Sequence, residues 1–85
     1  DNVEIHRFDD VGVEAIDVIV DESSVYIQKQ MLIDEIPSNF SVAAIIRDGV
    51  VKIPGSMTEI KPRDELLIFS KPDDAKNAES LFISK

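Results

Sequence analysis

The chain contains no cysteine and no tryptophan, three glycines and a single histidine. The absence of cysteine excludes disulfides and thiolate metal sites. The glycines are isolated from one another, so no glycine-rich phosphate-binding loop is present. The histidine, His6, has no serine or cysteine motif beside it, and the sequence therefore offers no paired nucleophile and base. These absences predict that the chain is not an enzyme.

Long apolar runs are also missing. No stretch approaches the roughly 18 consecutive apolar residues that a membrane helix requires, so we expect a soluble module with no direct membrane insertion. A length of 85 residues suits one small domain with a single core. The chain begins with Asp1 instead of methionine, from which we expect it to be part of a longer protein.

Acidic residues outnumber basic ones by 17 to 9, and the formal net charge is −8. Eight of the acids lie in residues 1–22, against one base. This distribution argues against nucleic acid as a partner, since binding to a phosphate backbone needs clustered lysine or arginine. Adjacent acids such as Asp21-Glu22 and Asp34-Glu35 point to different sides of a strand or helix and are best interpreted as solvated turns or caps. A divalent-cation site at either pair, completed across a dimer, is the lesser alternative.

Apolar periodicity and turn residues predict an α+β domain with the order β-α-β-β-β-α. The sheet is expected to be small, four-stranded and mostly antiparallel, with two helices. Residues 1–10 are interpreted as a linker or a frayed N-terminal segment, and residues 11–85 as the folded domain. The predicted strands are 11–20, 40–47, 50–53 and 65–70, and the predicted helices are 25–36 and 73–83.

A hairpin is the strongest local signal in the chain. Residues 44–55 read Ala-Ile-Ile-Arg-Asp-Gly-Val-Val-Lys-Ile-Pro-Gly. Asp48-Gly49 lies between two apolar runs, and a tight turn requires the positive φ that glycine adopts without steric cost. Pro54-Gly55 ends the returning strand. A second turn, Pro62-Arg63-Asp64, precedes the last predicted strand.

Two of the predicted strands are apolar on both faces. Two short helices cover one face of such a sheet, and the other face then needs a partner, because a large apolar patch is unfavourable in water. A two-fold homodimer is the simplest solution; the alternative is that loops and the N-terminal segment cover this face. Strand alternation assigns four residues to the predicted dimer interface: Ala43, Ile45, Leu67 and Phe69.

Arg47 closes an apolar strand in phase with Ala43 and Ile45. Its stem is therefore expected to follow the partner-covered face, where a guanidinium can bind a phosphate through two parallel hydrogen bonds. The alternative is a surface arginine that pairs with Asp48 or another nearby acid and contributes little free energy. The adjoining Pro54 ends the strand and allows a ligand to approach the backbone.

The ordered set of motifs resembles the TrkA-C domain, the C-terminal domain of RCK (regulator of potassium conductance) proteins. The resemblance covers roughly residues 13–83. Two positions depart from it: Gln28 and Arg63 stand where the family usually has glycine. The matching motifs are Ser24, Met31 to Pro37, Ile45 to Gly49, Ile53-Pro54, and Lys61 to Asp64 followed by the apolar run Leu66 to Phe69.

The resemblance implies a regulatory, ligand-sensing and dimerising domain of a channel or transporter for potassium or another monovalent cation. Its partners would be a second copy and a membrane channel or transporter subunit, so the expected location is cytoplasmic, at an inner-membrane transport protein. In some relatives the ligand is cyclic di-AMP at the dimer interface; the corresponding residues here are Arg47, Ile53 and Pro54. Cyclic di-AMP or another nucleotide is thus the expected ligand, ahead of a divalent cation. The alternative is a structural dimerisation module of an unrelated transporter, such as an antiporter or anion carrier, with no ligand.

Overall fold

Five antiparallel strands form the sheet of this domain, in the order β1-β2-β5-β3-β4. The computed structural model describes residues 3–8, 12–78 and 82. Short helices pack against one face of the sheet. The strands are β1 Val3–Phe8, β2 Val13–Ile19, β3 Phe40–Arg47, β4 Val50–Lys52 and β5 Glu65–Ser70; the helices are α1 Val25–Gln28, α2 Pro72–Ala75 and a 3-10 helix at Ile33–Glu35.

The predicted α+β class is confirmed, but the sheet has five strands instead of four. The additional strand is β1, within the segment interpreted from the sequence as a linker or a frayed end. Its backbone pairs with β2 over six positions, from Val3 opposite Val18 to Phe8 opposite Val13. Strand β1 forms because its backbone hydrogen-bonds to β2. The weak apolar pattern of residues 1–10 does not predict this pairing.

The predicted helix over residues 25–36 is wrong in its length, because α1 ends after four residues. Its start is as expected: the Oγ of Ser24 accepts a hydrogen bond from the N–H of Tyr26 at 3.2 Å. Its end is set by Gln30, whose φ is +53°. The Tyr26 carbonyl accepts from the N–H of Met31 at 2.9 Å, which is the closure of a Schellman motif.

Long-range hydrogen bonds replace the rest of that predicted helix. Leu32 forms an isolated antiparallel bridge with Glu59. The N–H of Ile33 donates to the carbonyl of Thr58 at 2.8 Å. The segment after α1 is thereby held against the loop that precedes β5, and these bonds use backbone groups that a continuous helix would occupy internally.

The second predicted helix, over residues 73–83, is described only in part. Its first turn is α2, which has Pro72 in the first turn and two acids beside it, as favoured at a helix start. Residues 79–81 and 83 lie outside the described residues. Phe82 is fully buried, and its ring centroid lies 5.2 Å from that of Tyr26. Phe82 is thus part of the core.

The two faces of the sheet differ in their cover. The covered face packs against α1, the 3-10 helix, α2 and Phe82, and contributes Ile16, Val18, Ile45, Leu66 and Ile68 to the core. The opposite face, called the open face below, carries residues that alternate with these along the strands. It comprises Glu4, His6, Val13, Ala15, Asp17, Ile19, Ser41, Ala44, Ile46, Val51, Glu65, Leu67 and Phe69.

A β-bulge in β3 corrects one of the predicted dimer residues. Ala44 pairs with Leu67 and Ile45 pairs with Leu66, and the register shifts at Ala43. The extra residue reverses the alternation, so Ile45 turns to the covered face with an exposed fraction of 0%. The expectation that Ile45 and Leu67 share a face is therefore wrong. Uniform alternation along 40–47 fails because it allows no inserted residue.

The turn before β5 leads to a prediction about stability. The N–H of Asp64 donates to the Lys61 carbonyl at 3.1 Å, and Arg63 has a φ of +67°. A side chain in this left-handed region costs about 1 kcal/mol. We expect Arg63→Gly to stabilise the domain by up to about 1 kcal/mol and raise Tm by roughly 4–8 °C, measured by thermal unfolding.

Arg63→Ala is the matched control for this change. It removes the same exposed guanidinium, whose contact with Glu22 is long at 3.5 Å, but it retains a Cβ atom at positive φ. We expect no gain in Tm from alanine. Equal melting temperatures for the two variants would contradict the explanation by backbone strain.

Candidate functional site

The β3–β4 hairpin carries the residues that the sequence nominates for ligand binding. Asp48 and Gly49 have φ values of +53° and +77°, so the predicted tight turn is confirmed. Positive φ at both central residues is the type I′ geometry, whose twist matches the twist of the two strands. The turn makes Arg47 opposite Val50 the last strand pair of the hairpin.

The Arg47 side chain is bound to Asp64 through two parallel hydrogen bonds. Its Nε donates to Oδ1 at 2.8 Å and its Nη2 donates to Oδ2 at 2.7 Å, while Nη2 also donates to the carbonyl of Glu59 at 3.0 Å. Asp64 is only 1% exposed, and its Oδ2 also accepts from the N–H of Lys61 at 2.8 Å. The pair ties the end of β3 to the turn before β5.

This pairing changes the expectation for Arg47. The guanidinium lies on the covered face, against the domain's own loop. The strand phase predicted the other face, where a partner was expected. The two nitrogens that would bind a phosphate, Nε and Nη2, are hydrogen-bonded to the Asp64 carboxylate. Hydrogen bonding to Asp64 raises the pKa of Arg47, with added attraction from Asp48 and Glu59. Only Nη1 makes no hydrogen bond to the described residues, so ligand binding by Arg47 stays a prediction.

Ile53 and Pro54 follow directly after β4. Ile53 is 81% exposed, whereas Pro54 is half-buried. No hydrogen bond or ion pair within the described ranges joins either residue to Arg47. The loop turns back immediately afterwards, where the N–H of Gly55 donates to the Oγ1 of Thr58 at 2.9 Å. The hairpin therefore presents an exposed apolar loop beside an occupied arginine, not one enclosed pocket.

A cavity of about 400 Å³ lies elsewhere, where the start of β3, the end of β5 and α2 come together. It has an apolar wall and several polar groups at its rim, and contains none of the nominated ligand residues. Sequence motifs do not indicate it because its lining comes from four separate segments. The principal lining residues are Val13, Ser38, Asn39, Phe69, Lys71 and Asp74.

The predicted dimer residues separate into two environments. Leu67 is half-buried and Phe69 is 38% exposed, both on the open face. Ala43 is the half-buried bulge residue. Ile45 belongs to the core, as described above. The open face also holds a feature that the sequence analysis missed, namely two acidic side chains on neighbouring strands.

These acids are Asp17 and Glu65. Asp17 pairs with Leu67 and Glu65 pairs with Ile19, so the two carboxyl groups are diagonal neighbours across β2 and β5. Hydrogen bonding to Asp17 raises the pKa of Glu65, and burial and repulsion by Asp17 and Glu4 act in the same direction. A raised carboxyl pKa stabilises the fold at acidic pH, and this contribution is lost as the pH rises through the folded-state pKa.

The family model of the TrkA-C domain matches residues 15–83. The chain belongs to the TrkA-C domain family. The resemblance noted in the sequence is thereby confirmed. The chain is also similar to the protein named "Trk system potassium uptake protein TrkA" of Azorhizobium caulinodans, with 27% identity over 78 residues. The aligned region is 92% of this chain and 17% of that protein, so the chain spans about a sixth of its relative.

The matched range of the TrkA-C domain contains the hairpin, the Arg47–Asp64 pair and the Asp17–Glu65 pair. Strand β1 precedes that range. None of the helices in residues 3–8, 12–78 and 82 has the length and apolar character needed to cross a membrane. Over the same residues, no group of three or more acidic or histidine side chains is arranged to hold a metal ion.

Proposed function

We propose that this TrkA-C domain is a regulatory domain of a potassium transport system. Membership of the family carries the proposal, supported by the similarity to a protein named for potassium uptake. The domain would work in the cytoplasm, attached to a membrane channel or transporter subunit. It would act by binding and by changing its assembly, without catalysis.

Self-association as a homodimer is the second part of the proposal. The open face supports it, since Leu67 and Phe69 expose apolar surface in the middle of the sheet. The buried residues of the two α-helices, Tyr26 and Ala75, belong to the core on the other side. Apolar faces of this kind mark interaction surfaces in soluble proteins.

Ligand sensing at the hairpin is the third part. Ile53 offers an exposed apolar surface, Pro54 limits backbone movement, and Arg47 retains its Nη1 group for an incoming ligand. The ligand would be cyclic di-AMP or another nucleotide, with a divalent cation as the lesser candidate. An anionic ligand would have to approach the Asp64 and Asp48 carboxylates, and ligand binding that loosens the Arg47–Asp64 pair would alter the turn before β5.

Two measurements on the 85-residue chain test the proposal. Light scattering should give the mass of a dimer. Cyclic di-AMP at about 100 times its Kd should stabilise the folded state by about 2.7 kcal/mol, seen as a rise in Tm. We expect Ile53→Asp to abolish this rise without changing the ligand-free Tm, because the Ile53 side chain is almost fully exposed.

Met57→Asp serves as the matched control, because Met57 is 77% exposed on the same loop. It should keep the response to the nucleotide. A dimer with no response to cyclic di-AMP, other nucleotides or divalent cations would favour the purely structural module. In the full-length protein, Ile53→Asp should also change potassium uptake at unchanged protein level; unchanged uptake would contradict the regulatory role.

A further inference from the structure

The open face combines an apolar surface with one acidic pair, and this combination suggests how its association is controlled. The inference rests on the proposed dimer and adds a condition to it. Three strands, β2, β5 and β3, form the centre of the face. Around the acidic pair lie apolar side chains: Ile19, Ala44, Ile46, Val51, Leu67 and Phe69.

The size of the face suits a second copy of the same domain. Strands about 4.8 Å apart with about 3.3 Å per residue give a surface of roughly 20 by 24 Å for this sheet. Two such faces in contact would bury on the order of 1,000 Å² in total, which is about the minimum for a biological interface and suits weak, reversible association.

Most of the face is apolar, which suits a second copy that presents the same apolar side chains. Residues of β3 and β4 on this face, Ala44, Ile46 and Val51, carry no charge. Asp17 and Glu65 are diagonal neighbours across β2 and β5, and hydrogen bonding to Asp17 raises the pKa of Glu65. A pair that holds one proton satisfies part of its own hydrogen bonding, so an apolar surface can cover it without supplying a cation.

The charged groups facing this pair come from one neighbouring strand. Glu4 of β1 is directly opposite Asp17, and His6 of β1 lies two residues further along the strand, opposite Ala15. The His6 Nε2 is 3.7 Å from the Glu4 carboxylate. The residues of β3 and β4 on the open face add no titratable group. Three acidic residues, Glu4, Asp17 and Glu65, therefore share this face, and none of the strand positions paired with Asp17 or Glu65 is a lysine or arginine.

We propose that two copies of this domain associate through their open faces, and that association requires uptake of a proton by the Asp17–Glu65 carboxyl pair. Covering the face removes water from the pair and brings the acids of the second copy closer. Both effects disfavour the doubly ionised pair. The dimer thus binds more protons than the two free domains and is favoured as the pH falls.

Sedimentation velocity of the 85-residue chain between pH 5.5 and 7.5 tests this proposal. We expect the dimer dissociation constant to be at least about tenfold lower at pH 5.5, since each proton taken up changes the constant by up to about tenfold per pH unit. The isosteric variants Asp17→Asn and Glu65→Gln should dimerise tightly at pH 7.5 and lose most of the pH dependence.

Three controls separate this effect from others. Asp34→Asn with Asp73→Asn removes two exposed carboxylates from the helical layer and should leave the pH dependence intact. His6→Gln is included because histidine is a residue type that titrates in this pH range. It should also retain the pH dependence if the carboxyl pair is responsible. Leu67→Lys should prevent association at every pH; a persisting dimer would place the interface on another surface and overturn the proposal.

The other possible outcomes bear on different parts of the proposal. A dimer whose dissociation constant is independent of pH, and unchanged in Asp17→Asn, would overturn the proton requirement and leave the proposed dimer in place. A monomer at every pH in all variants would overturn both. Tight association of Asp17→Asn at pH 7.5, with a native Tm, supports the inference.

Discussion

Replacing Asp64 by alanine is expected to destabilise the domain by about 3–5 kcal/mol, which is the usual cost of removing one partner of a buried ion pair. The Asp64 carboxylate accepts both hydrogen bonds of the Arg47 fork and a third from the backbone of Lys61. Its removal leaves the guanidinium in a half-buried place without its partner. It also releases the turn that leads into β5.

Chemical denaturation of Asp64→Ala measures this loss, with Asp34→Ala as the control. Asp34 is an exposed acid of the 3-10 helix, and its removal should cost less than about 0.5 kcal/mol. Asp64→Asn keeps the shape of the side chain but not its charge, and should fall between the two. If Asp64→Ala and Asp34→Ala have the same free energy of unfolding, the pair is not a stabilising tie.

Phe82→Ala is expected to cost about 3–5 kcal/mol, the range for removing a buried aromatic side chain. Phe82 is fully buried and packs on the ring of Tyr26. Its carbonyl also accepts a 3.4 Å hydrogen bond from the N–H of Asp21. A small domain has only about 5–15 kcal/mol of total stability, so this single truncation should leave it marginally folded.

Two further variants serve as controls for the Phe82 prediction. Phe82→Leu retains most of the buried volume and should recover more than half of the lost stability. Met57→Ala removes an exposed apolar side chain and should have little effect. Thermal unfolding that gives the same Tm for Phe82→Ala and Met57→Ala would contradict the role of Phe82 in the core.

The features that the sequence predicts well are local. Asp48-Gly49 determines its turn through its own backbone preferences, and Pro62 is compatible with the second position of the turn before β5. Ser24 caps α1 through a neighbour two residues away. In each case the residues that determine the conformation are the residues that adopt it.

The features that the sequence does not predict depend on distant partners. Strand β1 forms because β2 offers a hydrogen-bonding edge, and α1 stops where the chain bonds to the loop around Thr58. The bulge at Ala43 is visible only from the pairing of β3 with β5. The same applies to the site: the pairing of Arg47 with Asp64 and the proximity of Asp17 to Glu65 follow from the strand order.

The bulge at Ala43 also decides which side of the sheet carries a positive charge. Because β3 contains one residue more than its partner strand, Ile45 and Arg47 turn inward together. In a regular strand, Arg47 would emerge beside the acidic pair on the opposite surface and could neutralise it. The inserted residue therefore keeps the cation and the acidic pair on opposite sides of the sheet, so that neither neutralises the other.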